Sequence, residues 1–396
     1  MRGLNLLEFF AVAGVALVVY SYALYPVVLS LVASWVQLVG DARYVLQKGD
    51  RRAHPEVGLP RVAVVISAFN EAKHLAARID NLLALDYPAE LLSCYIGSDG
   101  SRDQTGQILT ACRDPRIHGF VFEQNRGKAS VLNDLVSRGT EPIIVFSDAN
   151  TFFDAQALKR LVRHFADAKV GGVSGELRLL RSAGDNQDSL YWRLEQFLKF
   201  FEARIHGLLG ANGAIYGIRR ALWQPLPPDT VCDDFCVAMN VSATGAKLVY
   251  EPTAFAEEDS PESMTDEYHR RIRIGIGNFQ AFYRHPEYLW KTSWGTRFSY
   301  ISHKVLRWFA PHLLIVSLLA SAALGLQFSS WAWVAGLELT AYVCAAGLYW
   351  HSGRGGRLPS LLKITAFLFA LNWAFLIASM RHATGRFSGS WRRTAR

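Results

Sequence analysis

Hydrophobic and polar positions divide the chain into three stretches with different periods. From Leu6 to Val39 nearly every residue is apolar and only Glu8 is charged. The run exceeds the ~20 residues that cross a bilayer as a helix. A secretory leader would carry an apolar core of only ~7–15 residues before a small-residue cleavage site. The stretch therefore predicts a membrane anchor over residues 1–40. Pro26 predicts a kink, which membrane helices tolerate. Arg43, Lys48, Arg51 and Arg52 fall in a linker over residues 41–60 and predict that this end faces the cytoplasm.

From Arg61 to about Arg284 the pattern changes, and one domain is expected over residues 61–290. Val62–Phe69, Leu91–Ser98, Gly119–Glu123 and Ile143–Ser147 are short apolar runs and predict strands. Between them Glu71–Leu85, Asp103–Cys112 and Lys128–Arg138 have helical spacing. Strands and helices in alternation predict an α/β fold, a parallel sheet with helices on both faces. Ligands of such sheets sit beyond the carboxyl ends of the strands. The polar groups "SAFNE", "SDGSRD" and "SDAN" follow the first, second and fourth predicted strands. Turn chemistry alone does not explain three such groups at one edge.

The last third is apolar again. Phe309–Gln327, Trp331–Trp350 and Leu361–Met380 each approach the ~20 residues needed to span, giving three membrane helices over residues 309–380. Residues 291–308 mix Trp, Arg, Lys and aromatic residues and predict a helix lying in the membrane interface. Three spans after a cytoplasmic domain leave the tail, residues 381–396, outside. That tail carries Arg381, Arg386, Arg392, Arg393 and Arg396, against the positive-inside tendency. Either one apolar segment is re-entrant or the tail is an exception.

Composition agrees with a membrane protein. Of 396 residues, 51% are hydrophobic and 19% charged, with a net charge of +8. Basic chains suit nucleic acid, an anionic membrane face or anionic substrates. Eleven Trp and fifteen Tyr favour the lipid bilayer as partner and no nucleic acid. The five cysteines have no disulfide or zinc spacing and predict core thiols. A transporter would place ionisable groups inside its spans. Here the three late spans hold little beyond His312, Glu338 and Lys363, which argues against transport as the sole function.

Several polar groups carry candidate chemistry. Asp99 and Asp148 each close a predicted strand. Each either caps the next turn or, with its partner, holds a divalent ion against a diphosphate, since hard cations take oxygen ligands. Lys128 opens a helix, where the dipole disfavours a cation; a nearby anion would explain it. Asp233 and Asp234 open another apolar helix, as caps or as a pair in which one carboxylate accepts a proton from a hydroxyl. Arg270, Arg271 and Arg273 form either a solvated or lipid-facing patch or a clamp for a diphosphate. Arg271 does not share a face with Arg273.

Taken together, "SAFNE", "SDGSRDQT", "NRGKA", "FSDANTFF", "GANGAIYGIRR", "DDF" and "RRIRIG" resemble, in order, the membrane-embedded family 2 glycosyltransferases. This superfamily includes the cellulose, chitin, hyaluronan and poly-N-acetylglucosamine synthases. The resemblance runs from about Arg61 to His285, and weakly into Ser302–Trp308. It implies a GT-A nucleotide-binding (Rossmann-like) cytoplasmic domain flanked by transmembrane helices in the cell (inner) membrane. The implied activity is inverting hexosyl or N-acetylhexosaminyl transfer from a nucleotide sugar, most often a UDP-sugar, to a growing polysaccharide. Single-sugar transfer to a lipid-linked acceptor is the alternative, and accessory export proteins are candidate partners. By position, Asn70, Glu71, Asp99 and Lys128 would bind the nucleotide sugar. Asp148 and Asn150 would hold Mg or Mn. Asn212, Gly213 and Ala214 would lie beneath the acceptor. Asp234 would be the base with Asp233 beside it, and Arg270 and Arg273 would fall in the family's Q-x-x-R-W. Departures are Asn150 for the second Asp of D-x-D, Cys232-Asp233-Asp234 for T-E-D, and Arg270 and Ile274 for the Gln and Trp of Q-x-x-R-W. The last puts processivity, rather than sugar transfer, in question.

Overall fold

In a computed structural model, residues 6–47, 58–180, 187–259, 264–354, 356 and 358–385 are described. Lys48, Arg51, Arg52, Arg386, Arg392, Arg393 and Arg396, which entered the charge argument, lie outside them. The centre is an eight-stranded sheet of order β3-β2-β1-β4-β7-β6-β8-β5. Its first half is laid down as β1 (Val62–Ala68), α3 (Ala72–Leu83), β2 (Leu92–Asp99), α4 (Thr105–Ala111), β3 (Ile117–Phe122), α5 (Lys128–Arg138) and β4 (Ile143–Asp148), after the amino-terminal helices α1 (Leu6–Val19) and α2 (Tyr25–Gln47). β1 lies between β2 and β4, parallel to both. All seven of its residues are buried, which is why it reads as an unbroken apolar run.

The second half departs from the all-parallel expectation. The chain continues through β5 (Phe152–Phe153), α6 (Ala157–Val162), β6 (Val170–Leu180), α7 (Gln187–Arg204), β7 (Tyr216–Arg219), α8 (Asp233–Ala243) and β8 (Lys247–Asp259). β7 runs antiparallel to β4 and to β6, and β5 antiparallel to β8. The sheet is therefore mixed. β7 enters between β4 and β6 only after α7, and its direction is opposite to both neighbours.

Helices cover both faces. One core cluster packs Val64, Ile66 and Val145 with Leu75, Leu82, Leu158 and Leu161 from α3 and α6. The other packs Val65, Phe146 and Tyr216 under α5 and α8. This second cluster continues without a break into α9 (Met264–Arg284), the turn after α10 (Trp294–Ser299), α11 (Leu306–Gly325) and α13 (Ser360–Ala383), through Ile272, Phe279, Tyr300, Trp308 and Ala378. The α/β domain and the apolar helices thus share one core.

Among the described residues, four helical stretches are long and apolar enough to cross a membrane: Leu6–Leu46, Trp294–Gly325, Ser329–Gly353 (α12) and Leu361–Ala383. Pro26 sits just after a π-helical turn, Tyr20–Leu24. The segment expected at the interface does not end at Trp308. It runs through a second π turn, Tyr300–Val305, into α11 as one rod. Its polar residues point into the protein: His303 Nδ1 lies 2.7 Å from Glu202 Oε1, and Arg307 Nη1 lies 3.1 Å from Glu195 Oε1. The two π turns meet, with Ser21 Oγ donating to Ser302 O at 2.7 Å. Cys94, Cys232 and Cys236 are buried thiols, Cys112 is half-buried and Cys344 exposed.

Candidate functional site

The carboxyl ends of β1, β2 and β3 frame a cleft of about 460 Å³ lined by Phe69, Asn70, Gly100, Ser101, Arg102 and residues 123–125. Asn70 stands at its edge in the left-handed region, φ 55°, a conformation that Asn tolerates better than most residues. Its Oδ1 accepts from Arg102 N at 2.8 Å and its N–H donates to Ser101 Oγ at 3.1 Å, which ties the turn after β1 to the turn after β2. Glu71 begins α3, its N–H bonded to Thr105 Oγ1 at 2.9 Å.

Asp99, at the end of β2, is 1% exposed and turned inward. Its two oxygens accept from Arg126 N at 2.8 Å and Gly127 N at 2.9 Å. Gly127 has φ 86°, a backbone that other residues resist. Asp99 therefore fixes the turn that launches Lys128 as the first residue of α5. The ammonium of Lys128 meets Asp148 Oδ1 at 2.9 Å and Asp233 Oδ2 at 3.1 Å. Burial alone would lower the pKa of Lys128, but Asp148, Asp233 and Asp234 together raise it. The anion that explains a cation at this helix start is a pair of the protein's own carboxylates.

Asp233 and Asp234 open α8. Asp234 Oδ2 accepts from Gly213 N at 3.1 Å, and Oδ1 from Phe235 N at 2.8 Å. A Cβ on Gly213 would stand 3.0 Å from Asp234 Oδ2, so the loop of Asn212, Gly213 and Ala214 presses directly on this carboxylate. Burial, then repulsion from Asp233, pushes the Asp234 carboxyl up to about 6, against the pull of Lys128. Such a carboxylate is poised to exchange protons near neutral pH.

Two residues given no role by the sequence patterns support this cluster. Ser147 Oγ donates to Ala214 O at 2.8 Å and accepts from Arg78 Nη2 at 2.9 Å. Arg78 is wholly buried and also lies over the Phe153 ring at 4.3 Å. The end of β4 and the 212–214 loop are thereby joined. Arg78 sits on an amphipathic helix, where its position gives no hint of burial. The only available signal was Ser147 inside "SDAN".

Asn150 is half-buried beside Glu258, and Nδ2 donates to Glu258 Oε1 at 2.9 Å. That bond fixes the amide and leaves its oxygen as the donor atom for a ligand. Among the described residues, no group of three or more His, Cys, Asp or Glu could hold a metal ion. Asp148 and Asn150 supply one carboxylate and one amide oxygen. This set fits Mg or Mn in the mode where one or two protein oxygens are completed by substrate phosphate and water. Burial, then the charge of Asp234, holds the Cys232 thiol well above its ordinary pKa, and Arg273 on α9 is close enough to pull weakly the other way. α9 is tied to the turn before Asp233 by Gln280, which accepts from Val231 N at 3.1 Å. Arg271 instead lies 4.7 Å over Phe367 of α13. Arg270 occupies the same helix, one residue before Arg271.

Residues 63–224 match the family described as Glycosyl transferase family 2. The chain is similar to a protein named poly-beta-1,6-N-acetyl-D-glucosamine synthase from Staphylococcus aureus (strain COL), 25% identical over 279 residues. The match covers 66% of this chain and 65% of that protein, just under two thirds of its length. A protein of the same name from Staphylococcus epidermidis is 25% identical over 240 residues, 56% of each chain. Among solved structures, mannosyltransferase PcManGT from Pyrobaculum calidifontis, in complex with GDP-Man and Mn2+, aligns with TM-score 0.70. It is 20% identical, over 96% of this chain and 100% of that one, and shares the GT-A fold. Residues 63–224, within the α/β region, form a glycosyl transferase family 2 domain.

Proposed function

We propose that the protein transfers a sugar from a nucleotide-sugar donor, UDP-linked as the first candidate, to a hydroxyl of a growing glycan at the cytoplasmic face of the cell membrane, with inversion. The carrying observation is Asp234, a carboxyl pushed up to about 6 and bonded through Gly213 N to the acceptor-side loop. In this scheme the nucleotide occupies the cleft at Asn70, and the diphosphate draws Lys128 away from Asp148 and Asp233. Arg273 and Arg270 clamp the diphosphate as it leaves, a task suited to guanidinium forks. Asp234 takes the proton of the acceptor hydroxyl, which attacks the anomeric carbon from the face opposite the leaving group. Asp148 and Asn150 hold Mg or Mn, which when bound neutralises charge on the diphosphate. The apolar helices, sharing one core with the domain, hold the acceptor at the bilayer and keep water from the donor.

The S. aureus relatives' name makes N-acetylglucosamine the first sugar to test. One feature supports the alternative of single-sugar transfer to a lipid-linked acceptor: Ile274, 37% exposed, stands at the position of the Trp of Q-x-x-R-W.

The test is full-length protein in lipid nanodiscs, given UDP- and GDP-sugars with Mn2+, with products sized on gels. We expect transfer from at least one donor and its loss in Asp234→Asn. No transfer by wild type, or an Asp234→Asn variant within a few-fold of it, rejects the assignment. Polymer or a single added sugar distinguishes the two acceptors.

A further inference from the structure

Tyr216 is 1% exposed, and its hydroxyl has no hydrogen-bond partner among the described residues. A buried hydroxyl without a partner is costly, and native structures seldom keep one without cause. The position of the ring identifies what the hydroxyl faces. Tyr216 pairs across the ladder with Phe146, and the two rings stack at 4.9 Å. Phe146 is two residues before Asp148, so both belong to the sheet face covered by α5 and α8. The first residues of those helices are Lys128 and the Asp233–Asp234 pair. Burial, followed by the charges of Asp233, Asp234 and Asp148, holds the phenol well above its ordinary pKa.

A second buried atom on this face also lacks a hydrogen bond. Asp233 Oδ2 lies 3.1 Å from the Lys128 ammonium as a charge contact, without hydrogen-bond alignment. A phenolic donor and a carboxylate acceptor, both buried and unmatched, therefore belong to the same layer between the sheet and α8, close enough for the charge of Asp233 to act on the phenol. A small void of about 10 Å³ borders Tyr216, at the lower limit for one water. Its walls are glycine and aliphatic residues, and its Ser174 hydroxyl is engaged by Asn212 N at 3.0 Å and Gly175 O at 3.2 Å. Water in that void would find too few partners to satisfy the phenol.

We infer that Tyr216 is a positioning residue for Asp233: its hydroxyl donates to the Asp233 carboxylate once Lys128 moves from that carboxylate to the diphosphate of a bound nucleotide. The inference rests on the transfer reading above, because it needs an anion to draw Lys128 away. In the resting chain Lys128 balances Asp233, and Tyr216 is held in reserve by its stacked neighbours. On binding, Asp233 loses its cation beside Asp234, and only a neutral donor from below can keep it in place. No proton leaves Tyr216 in this exchange.

The experiment compares wild type, Tyr216→Phe, Asp233→Asn and the double variant as full-length protein in nanodiscs. Binding of UDP and of GDP with Mn2+ is measured by calorimetry, and thermal unfolding is followed with and without nucleotide. Phe keeps the ring, its stacking and its volume, so only the hydroxyl is lost. We expect Tyr216→Phe to unfold no earlier than wild type without nucleotide, yet to bind the nucleotide about tenfold more weakly. In the Asp233→Asn background the same change should cost nothing further, since the acceptor is gone. Nucleotide binding equal to wild type overturns the inference, as does an equal loss in both backgrounds. Earlier unfolding of Tyr216→Phe without nucleotide also overturns it, because the hydroxyl would then already have a partner. If wild type binds neither nucleotide, the transfer reading itself fails, whatever the variants do.

Discussion

Lys128 reaches across from the first turn of its helix to Asp148, 2.9 Å away at the end of a neighbouring strand. A lysine at a helix start works against the dipole by about 0.3–1 kcal/mol. Here it is held by two carboxylates from two other elements, Asp148 and Asp233, and it is only 13% exposed. The pair thus acts as a keystone: one cation joins the fourth strand, the fifth helix and the eighth. It is also the contact that an incoming diphosphate would have to break.

Lys128→Met should therefore leave Asp148, Asp233 and Asp234 facing one another without a cation. Removing one partner of a largely buried pair costs about 3–5 kcal/mol. We expect a loss near the lower end, about 3 kcal/mol, because Asp148 is 26% exposed and water relieves part of the repulsion. Denaturant unfolding in detergent measures it. A variant as stable as wild type would show that the ammonium is not needed to hold the carboxylates together.

Asp234 sets the pH dependence. Its carboxyl is pushed up to about 6 by burial and by Asp233, against about 3.9 in an unfolded chain. The folded state therefore favours the protonated form. The stability it contributes is complete below about pH 4 and is lost as pH rises through about 6. Asp234→Asn removes this dependence. It should unfold like wild type at pH 4 and be more stable by on the order of 1–2 kcal/mol at pH 7.5. Transfer by wild type should rise with pH through about 6, as the base becomes free to accept a proton. A flat activity profile between pH 5 and 7, or a variant less stable at both pH values, contradicts the assignment.

What the sequence made legible follows from what is local. β1, β2 and β4 could be read because they are buried on both faces, the edge strand β3 because it is short and apolar, and the helices between them because each has one apolar face. Lys128–Arg138 was read to the residue. The family's motifs could be read because turns at strand ends need particular residues. The partners of those residues are not local. Nothing near Lys128 in the chain indicates that Asp233 lies 3.1 Å away. Asp99 is expected at the nucleotide pocket from its place in the motif, and its bonds from Arg126 N and Gly127 N, across the turn after the third strand, have no local signal. β6 and β8 escaped notice because neither alternates cleanly, and bulges break their register. Tyr216 and Arg78 look like ordinary strand and helix positions until the sheet is assembled.

Asn150 is the sharpest departure from the family pattern, and Glu258 gives it a physical reason. The amide donates to Glu258 Oε1 at 2.9 Å, and Glu258 is only 7% exposed. Asn150→Asp would set two carboxylates at hydrogen-bond distance in a poorly solvated site. Like charges so placed cannot both ionise without help. We expect the variant to be less stable than wild type in chelator by about 1–3 kcal/mol, and to recover with Mn2+. The diagnostic quantity is the shift in unfolding temperature on adding Mn2+, larger for Asn150→Asp than for wild type. Equal shifts would mean that this position does not face the ion.

Gly295 marks where the site depends on the apolar helices. A Cβ there would stand 1.8 Å from Ile205 O, a backbone atom that no rotamer change can move. The same turn is bonded to the rod through His206 O, which accepts from Ser293 Oγ and Thr296 Oγ1, each at 2.9 Å. Residues 205–207 lead directly into the loop of Asn212, Gly213 and Ala214, which presses on Asp234. Gly295→Ala must push the turn off the rod, a clash that costs about 1–3 kcal/mol or more. The loop and Asp234 should lose register with the acceptor, while the nucleotide cleft at Asn70 is untouched. We expect sugar transfer to fall at least tenfold with nucleotide affinity within about twofold of wild type. Gly336→Ala is the control, because a Cβ there meets nothing within 4 Å. Parallel loss of nucleotide binding and transfer in Gly295→Ala would indicate general unfolding, and unchanged transfer would mean that the rod does not position the acceptor loop.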